Sequence, residues 1–186
     1  MGLFEIILIA VGLSMDAFAV SVTLGLSVKK PTVKEVLTPG VYFGLFQAVM
    51  PLIGYFAGIY FANMIQNSDH WIAFLLLGFI GGKMIKDSYS KEEKKIDKKP
   101  FRFRTMVLLG IATSIDALAV GITFAFLKTN IFKAILIIGF TTFFISTFGM
   151  KMGNKLGTKY ESKAEFAGGA VLVILGFKIL IEHLFF

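Results

Sequence analysis

Apolar residues follow one another along this chain in six long stretches, and short polar segments separate them. A helix that spans the hydrocarbon core of a membrane needs about 20 mostly apolar residues, because its backbone polar groups must be satisfied within the segment. Six stretches approach this length, at 3–28, 36–62, 71–85, 105–127, 131–150 and 164–186. The pattern therefore predicts an all-α polytopic membrane protein with six transmembrane helices.

The composition also indicates a membrane protein. Hydrophobic residues make up 56% of the 186 residues, and the mean hydropathy is +0.78. A chain this short has too little polar material to cover several apolar helices in water, so we expect the lipid bilayer to be its main surroundings. The chain contains no cysteine, which excludes a disulfide framework and a thiolate metal site.

Positive charge lies mainly on one side of the predicted bundle. Loops one to two, three to four and five to six, with the adjoining helix ends, carry fifteen basic residues: Lys29, Lys30, Lys34, Lys86, Lys91, Lys94, Lys95, Lys98, Lys99, Arg102, Arg104, Lys151, Lys155, Lys159 and Lys163. The other side has Lys128 and Lys133. By the positive-inside rule the fifteen are cytoplasmic and both termini lie outside the cytoplasm. We interpret the polar segment 87–104 as a solvated cytoplasmic linker rather than a nucleic-acid site.

The two halves of the chain repeat each other. Ser14-Met-Asp-Ala-Phe-Ala-Val20 matches Ser114-Ile-Asp-Ala-Leu-Ala-Val120 at an offset of 100. At an offset of 95, three glycines of the second span match three of the fifth, namely Gly44, Gly54 and Gly58 with Gly139, Gly149 and Gly153. Each half holds three spans, an odd number, so the second half must enter the membrane from the opposite face. The repeat predicts two inverted three-helix units, 1–86 and 105–186, joined by the linker 87–104.

Two aspartates lie near the middle of their predicted spans. Asp16 and Asp116 are repeat-related, and a helix rise of about 1.5 Å per residue places both near the bilayer centre. A charged Asp at that depth costs at least a few kcal/mol unless it is paired, protonated or faces a polar cavity. The pair therefore marks a candidate functional site, although a neutral Asp can also serve simply as a hydrogen bond between helices.

Neutral oxygens accompany the two carboxylates. Ser14 and Ser114 lie two residues before the aspartates, Gln47 is a mid-span amide, and Thr142 is its repeat mate. The serines can add oxygen ligands or bond to carbonyls of their own helix. Carboxylate, hydroxyl and amide oxygens together suit a hard or borderline divalent cation such as Mn²⁺, Mg²⁺ or Ca²⁺. Two like charges in low dielectric cannot both stay ionised, so a bound cation would displace a proton, which is a scheme for cation–proton exchange.

Several blocks in order resemble the MntP-type bacterial manganese efflux pumps, which are small six-helix inner-membrane exporters of the LysE-like superfamily. The blocks include Ser14-Met-Asp-Ala-Phe-Ala-Val20, Phe43-Gly-Leu-Phe-Gln47, Gly81-Gly-Lys-Met-Ile85 and Lys163-Ala-Glu-Phe-Ala-Gly-Gly169. The resemblance implies a non-enzymatic pump of the inner membrane that exports Mn²⁺ as its substrate, without a resident cofactor, with Asp16 and Asp116 as functional carboxylates. The chain departs at Gln47, where some relatives look to have a glutamate.

Two other classes of function remain open at this point. An intramembrane aspartyl protease also needs two aspartates on neighbouring helices, but its Tyr-Asp and Gly-x-Gly-Asp signatures are missing, since Met15 and Ile115 precede the aspartates. A membrane subunit that transports nothing is the other alternative. The chain has no G-x-x-x-x-G-K-[ST] motif, so ATP is not the direct driver, and we expect a proton gradient to supply the energy.

Overall fold

The computed structural model describes residues 1–62 and 101–156, and the positions 74–75, 78–79, 82–83, 85–86, 89, 166, 170, 173–174, 177 and 181. Regular structure within these residues is helical throughout, which agrees with the predicted all-α class. The continuous helices are α1 (Leu3–Leu26), α2 (Val33–Ala62), α3 (Phe103–Thr113), α4 (Ile115–Phe126) and α5 (Ile131–Leu156). The predicted spans 71–85 and 164–186 and the linker 87–104 lie largely outside the described residues.

Three of these helices are long and apolar enough to cross a membrane: Leu3–Leu26, Val33–Tyr60 and Ile131–Lys155. They confirm the predicted spans 3–28, 36–62 and 131–150, with ends that differ by a few residues. The pair α3 and α4 meets the same test if its two members count as one span. The chain is therefore a multi-pass membrane protein.

The fourth predicted span, 105–127, is broken rather than continuous. Helices α3 and α4 meet at Ser114 with a bend of 44°. The Ser114 hydroxyl donates to the carbonyl of Gly110 at 2.6 Å, and the Thr113 hydroxyl donates to that of Leu109 at 2.9 Å. Hydroxyls that bond back to carbonyls one turn earlier bend helices, and a glycine within that turn lowers its resistance to bending. In the matching turn of α1, Leu13 and Ala10 stand in place of Thr113 and Gly110, and α1 is continuous.

Several helix pairs pack backbone to backbone at their glycines. Helix α1 lies mainly along α5, and α2 lies along both α4 and α5. A Cβ atom at Gly54 of α2 would collide with the carbonyl oxygen of Leu118 in α4, and one at Gly149 of α5 would lie 3.0 Å from the carbonyl oxygen of Phe18 in α1. Small residues permit such close approach between membrane helices. The glycines therefore fix how closely the helices that carry the aspartates approach their neighbours.

The outer faces of the bundle are apolar. On α5 a stripe of large side chains spaced four residues apart is 60 to 66% exposed, and consists of Phe132, Leu136, Phe140, Phe144 and Phe148. The buried side chains include a cluster drawn from α1, α4 and α5, which contains Ile9, Leu13, Val120, Phe124 and Ile138. This distribution, with apolar residues both outside and inside, is the one expected for helices surrounded by lipid.

Candidate cation site

The two predicted aspartates lie near enough in the bundle to interact electrostatically. Asp16 lies in the middle of α1, and Asp116 is the second residue of α4, immediately after the break at Ser114. Their carboxylates repel each other, and the ammonium group of Lys83 attracts that of Asp116. Both aspartates are half-buried. The structure thus brings two acidic groups from different helices to one place.

The break in the fourth span determines the surroundings of Asp116. One carboxylate oxygen, Oδ1, accepts the backbone N–H of Ala117 at 2.8 Å. The other, Oδ2, is buried and makes no hydrogen bond with the residues that the structure describes. Because α4 begins at Ile115, Asp116 also lies at the positive end of a helix, which stabilises a negative charge. The carboxylate is therefore fixed by one oxygen and leaves the other without a donor among the described residues.

A hydrogen bond joins α1 to α5 two residues before Asp16. The hydroxyl oxygens of Ser14 and Thr142 are 2.8 Å apart, and Ser14 also lies 2.6 Å from the carbonyl oxygen of Ala10. A carbonyl only accepts, so the single proton of Ser14 goes to Ala10, and Thr142 must donate to Ser14. Both side chains are fully buried. Ser14 therefore uses its proton locally and keeps one lone pair for another partner.

Gln47 of α2 reaches the same turn of α1. Its Nε2 atom donates to the carbonyl oxygen of Leu13 at 2.8 Å. Its Oε1 atom is fully buried and has no hydrogen-bond partner within the described part of the chain. A buried acceptor without a donor is uncommon in native proteins and needs an explanation, such as an ion or a water. Leu13 and Asp16 belong to one helical turn, so the amide oxygen lies at the level of the carboxylate.

The crossing of α2 and α5 explains why Gln47 and Thr142 share this level. A Cβ atom at Gly44 would lie 2.8 Å from the carbonyl oxygen of Gly139, and one at Gly139 would lie 3.2 Å from that of Gly44. Gln47 and Thr142 each follow their glycine by three residues, which places them about one turn beyond the crossing. The two glycines therefore bring both polar side chains to α1.

Ser114 bonds to carbonyls of its own backbone, which is one of the two roles expected for the serines. Its hydroxyl donates to Gly110 at 2.6 Å and lies 3.3 Å from the carbonyl oxygen of Ile111. Both partners belong to the preceding helix, as expected for a hydroxyl that bonds to its own backbone. Of the six predicted residues, Ser14 and Thr142 are hydrogen-bonded to each other, and Asp16 and Asp116 interact electrostatically.

Sequence reasoning missed two features of this region. It did not anticipate the attraction between the ammonium group of Lys83 and the carboxylate of Asp116. It also missed the break at Ser114, for which adjacent hydroxyls at 113 and 114 with Gly110 were the available signal. Within the described ranges no three His, Cys, Asp or Glu side chains converge on a metal position.

Comparison with known proteins identifies the family. The family profile described as "Putative manganese efflux pump" matches residues 30–180. Relatives carrying the same description with the name MntP include that of Campylobacter jejuni, 55% identical over 186 residues that cover 100% of both chains. That of Desulfitobacterium hafniense is 53% identical over 186 residues, covering 100% of this chain and 98% of its own. No solved structure matches the chain significantly.

These matches extend over nearly the whole chain and agree with the resemblance derived from the aspartate and glycine blocks. Identity of about half over the full length is far above the level at which membership is in question. The proteins in this group are described as efflux pumps, which are transporters rather than enzymes. The chain therefore belongs to the MntP family.

Proposed function

We propose that this protein exports Mn²⁺ from the cytoplasm in exchange for protons, by alternating access to a site between Asp16 and Asp116. The manganese substrate comes from the description of the family and of its relatives. The observation that carries the site is the pair of electrostatically interacting carboxylates, one of which keeps a buried oxygen without a hydrogen bond to any described residue. The amide oxygen of Gln47 and the hydroxyls of Ser14 and Thr142 provide neutral ligands nearby, and Ser114 supports the helix break that presents Asp116.

A proton is the natural occupant of this site when no cation is bound. Two carboxylates at close range in low dielectric cannot both keep their charge. A divalent cation neutralises the pair and releases the proton that the pair held. This alternation couples Mn²⁺ movement to proton movement in the opposite direction.

Equivalent contacts in the two halves support an inverted repeat as the basis of alternating access. Gly54 packs on the carbonyl of Leu118, and Gly149 packs on that of Phe18. These two contacts are related by the repeat, because Gly149 lies 95 residues after Gly54 and Phe18 lies 100 residues before Leu118. Gly44 and Gly139, which differ by 95, approach each other's carbonyls, as residues near a pseudo-two-fold axis do. In this proposal the two units exchange roles when the site turns from the cytoplasm to the outside.

Transport in proteoliposomes tests the proposal. Purified protein is reconstituted with a Mn²⁺ indicator and a pH indicator inside the vesicles, and Mn²⁺ is added outside. We expect Mn²⁺ influx through the inside-out fraction together with proton efflux, and we expect both signals to disappear in Asp16→Asn and Asp116→Asn.

A matched carboxylate elsewhere provides the control. Glu35 accepts from the backbone N–H of Thr32 at 2.8 Å in a capping box at the start of α2. Glutamine serves the same cap, so Glu35→Gln should transport normally. Normal Mn²⁺ flux in both Asp variants would reject the site and favour a structural role for the pair. A Mn²⁺ flux that stays unchanged when the proton gradient is collapsed would reject proton exchange.

A further inference from the structure

A line of buried polar groups follows the interface of α1 and α5 from the aspartate site toward one end of both helices. Thr142, Ser146 and Gly149 lie on one face of α5, because they are spaced by four and three residues. Thr142 bonds to Ser14, and Gly149 packs against Phe18 and Ser21 of α1. Ser146 lies between these two contacts, so it also faces α1.

The described residues leave the buried hydroxyl of Ser146 unsatisfied. The side chain is fully buried, and its Oγ atom makes no hydrogen bond with the described residues. Ser21 already donates its proton to Ala17 at 2.6 Å. A buried hydroxyl without a partner costs stability, and at the α1–α5 interface this cost is offset if another arrangement of the helices brings a partner to it.

Packing alone does not require these polar residues. The repeat mates of Ser21, Ser146 and Asn154 are Gly121, Pro51 and Ile59. Gly121 contacts the backbone of Pro51, so α4 and α2 form an equally tight interface without any of the three polar groups. Their restriction to the α1–α5 interface indicates a function of that interface alone.

Asn154 closes the end of the same interface. Its Nδ2 atom donates to the carbonyl oxygens of Gly25, at 3.3 Å, and of Val28. A Cβ atom at Gly25 would collide with the backbone of Met150, so α1 and α5 touch directly beneath this clamp. Lys29, Lys30, Lys151 and Lys155 lie close by in sequence and identify this end as cytoplasmic under the positive-inside rule.

We propose that the α1–α5 interface is the cytoplasmic access path of the cation, with Ser146 as an oxygen ligand along it and Asn154 as the clamp that holds it shut. The inference rests on the proposed transport function. When α1 and α5 separate, the Ser146 hydroxyl replaces a water of the partly hydrated divalent cation on its way to Asp16 and Asp116. In the closed arrangement the same hydroxyl has no hydrogen-bond partner among the described residues.

Thiol labelling tests the path without depending on transport. The chain has no cysteine, so Ser146→Cys is the single thiol. We expect a charged, membrane-impermeant thiol reagent to modify it from the cytoplasmic face of inside-out vesicles and not from the outer face, with slower modification when Mn²⁺ is present. Phe144→Cys on the lipid-facing side of α5 should resist the reagent from both faces. Absence of labelling from the cytoplasmic face, or labelling from the outer face, would overturn the path.

The clamp has its own test in the same background. Asn154→Ala removes two hydrogen bonds of the closed state, which corresponds to roughly a tenfold faster labelling of Ser146→Cys. An unchanged labelling rate would remove Asn154 from the inference.

Transport measurements distinguish failure of the Ser146 ligand role from failure of the proposed function. Ser146→Ala should raise the KM for Mn²⁺ at the cytoplasmic face and leave the maximal rate largely unchanged, since it removes one oxygen and no packing volume of consequence. If the unaltered protein transports Mn²⁺ and Ser146→Ala has the same KM, the ligand role fails and the proposed function stands. If the unaltered protein carries no Mn²⁺, the proposed function fails, while the labelling result still decides whether the interface opens to the cytoplasm.

Discussion

Thr142 donates its hydroxyl proton to Ser14 across the interface of α1 and α5, with 2.8 Å between the two oxygens. The direction of this bond follows from the second contact of Ser14, whose own proton goes to the carbonyl of Ala10. The bond holds α5 against the turn of α1 that precedes Asp16. The position of the Asp16 carboxylate therefore depends on a side chain from the other half of the chain.

Replacing Thr142 by valine should lower stability while keeping the side-chain shape. The loss of an interhelical hydrogen bond in a membrane protein costs about 0.6 kcal/mol on average and at most about 1.7 kcal/mol. Reversible unfolding in mixed micelles measures the change. Thr147→Val on the same helix is the control, because the buried Thr147 hydroxyl makes no hydrogen bond among the described residues, and its removal should be neutral or stabilising. Equal destabilisation by both variants would contradict the assignment.

Replacing Gly54 by alanine should force α2 away from α4. The added methyl group meets the backbone carbonyl of Leu118, which cannot rotate away. Overpacking of this kind costs about 1 to 3 kcal/mol, and the displaced helix should also reduce Mn²⁺ transport. Gly82→Ala is the control, because a Cβ atom there has no atom of the described residues within 4 Å. A Gly54→Ala variant that unfolds and transports like the unaltered protein would contradict this packing of α2 on α4.

The apolar pattern was sufficient to predict α1, α2 and α5, because the length needed to cross a bilayer is a property of the sequence alone. The break at Ser114 was not predicted, since hydrophobic residues continue on both sides of it and the cause is local hydroxyl chemistry. The position of Asp16 and Asp116 near the middle of their spans likewise marked them, from the sequence alone, as candidate site residues. The contacts of Gln47 with Leu13 and of Thr142 with Ser14 could not be predicted, because they depend on how each helix is rotated and where α2 crosses α5.

Changing Gln47 to glutamate should increase the number of protons released when Mn²⁺ binds. A protonated glutamate can donate to the carbonyl of Leu13 as the amide does now, and a bound cation would then favour its ionised form. Titration calorimetry in two buffers with different ionisation enthalpies measures the released protons. We expect an increase of up to about one proton per cation. An unchanged proton count with unchanged affinity would place Gln47 outside the site.

The orientation of the bundle predicts which thiols are accessible from outside the cell. Lys30→Cys, between α1 and α2, should resist an impermeant reagent added to intact cells, because the positive-inside rule places it in the cytoplasm. Lys133→Cys, near the start of α5, should react. Both lysines are exposed, so burial does not distinguish them. The reverse pattern would invert the topology and would place the α1–α5 access path on the outer side.

Equilibrium binding of Mn²⁺ to the purified protein tests the central claim most directly. The unaltered protein, Asp16→Asn, Asp116→Asn and the double variant are compared, with circular dichroism to confirm that each keeps its helices. We expect each single variant to weaken binding by at least about a hundredfold, since loss of one partner from a buried charge cluster costs about 3 to 5 kcal/mol. The double variant should lose little more, because both groups form one site. Folded single variants that bind Mn²⁺ as tightly as the unaltered protein would contradict the account.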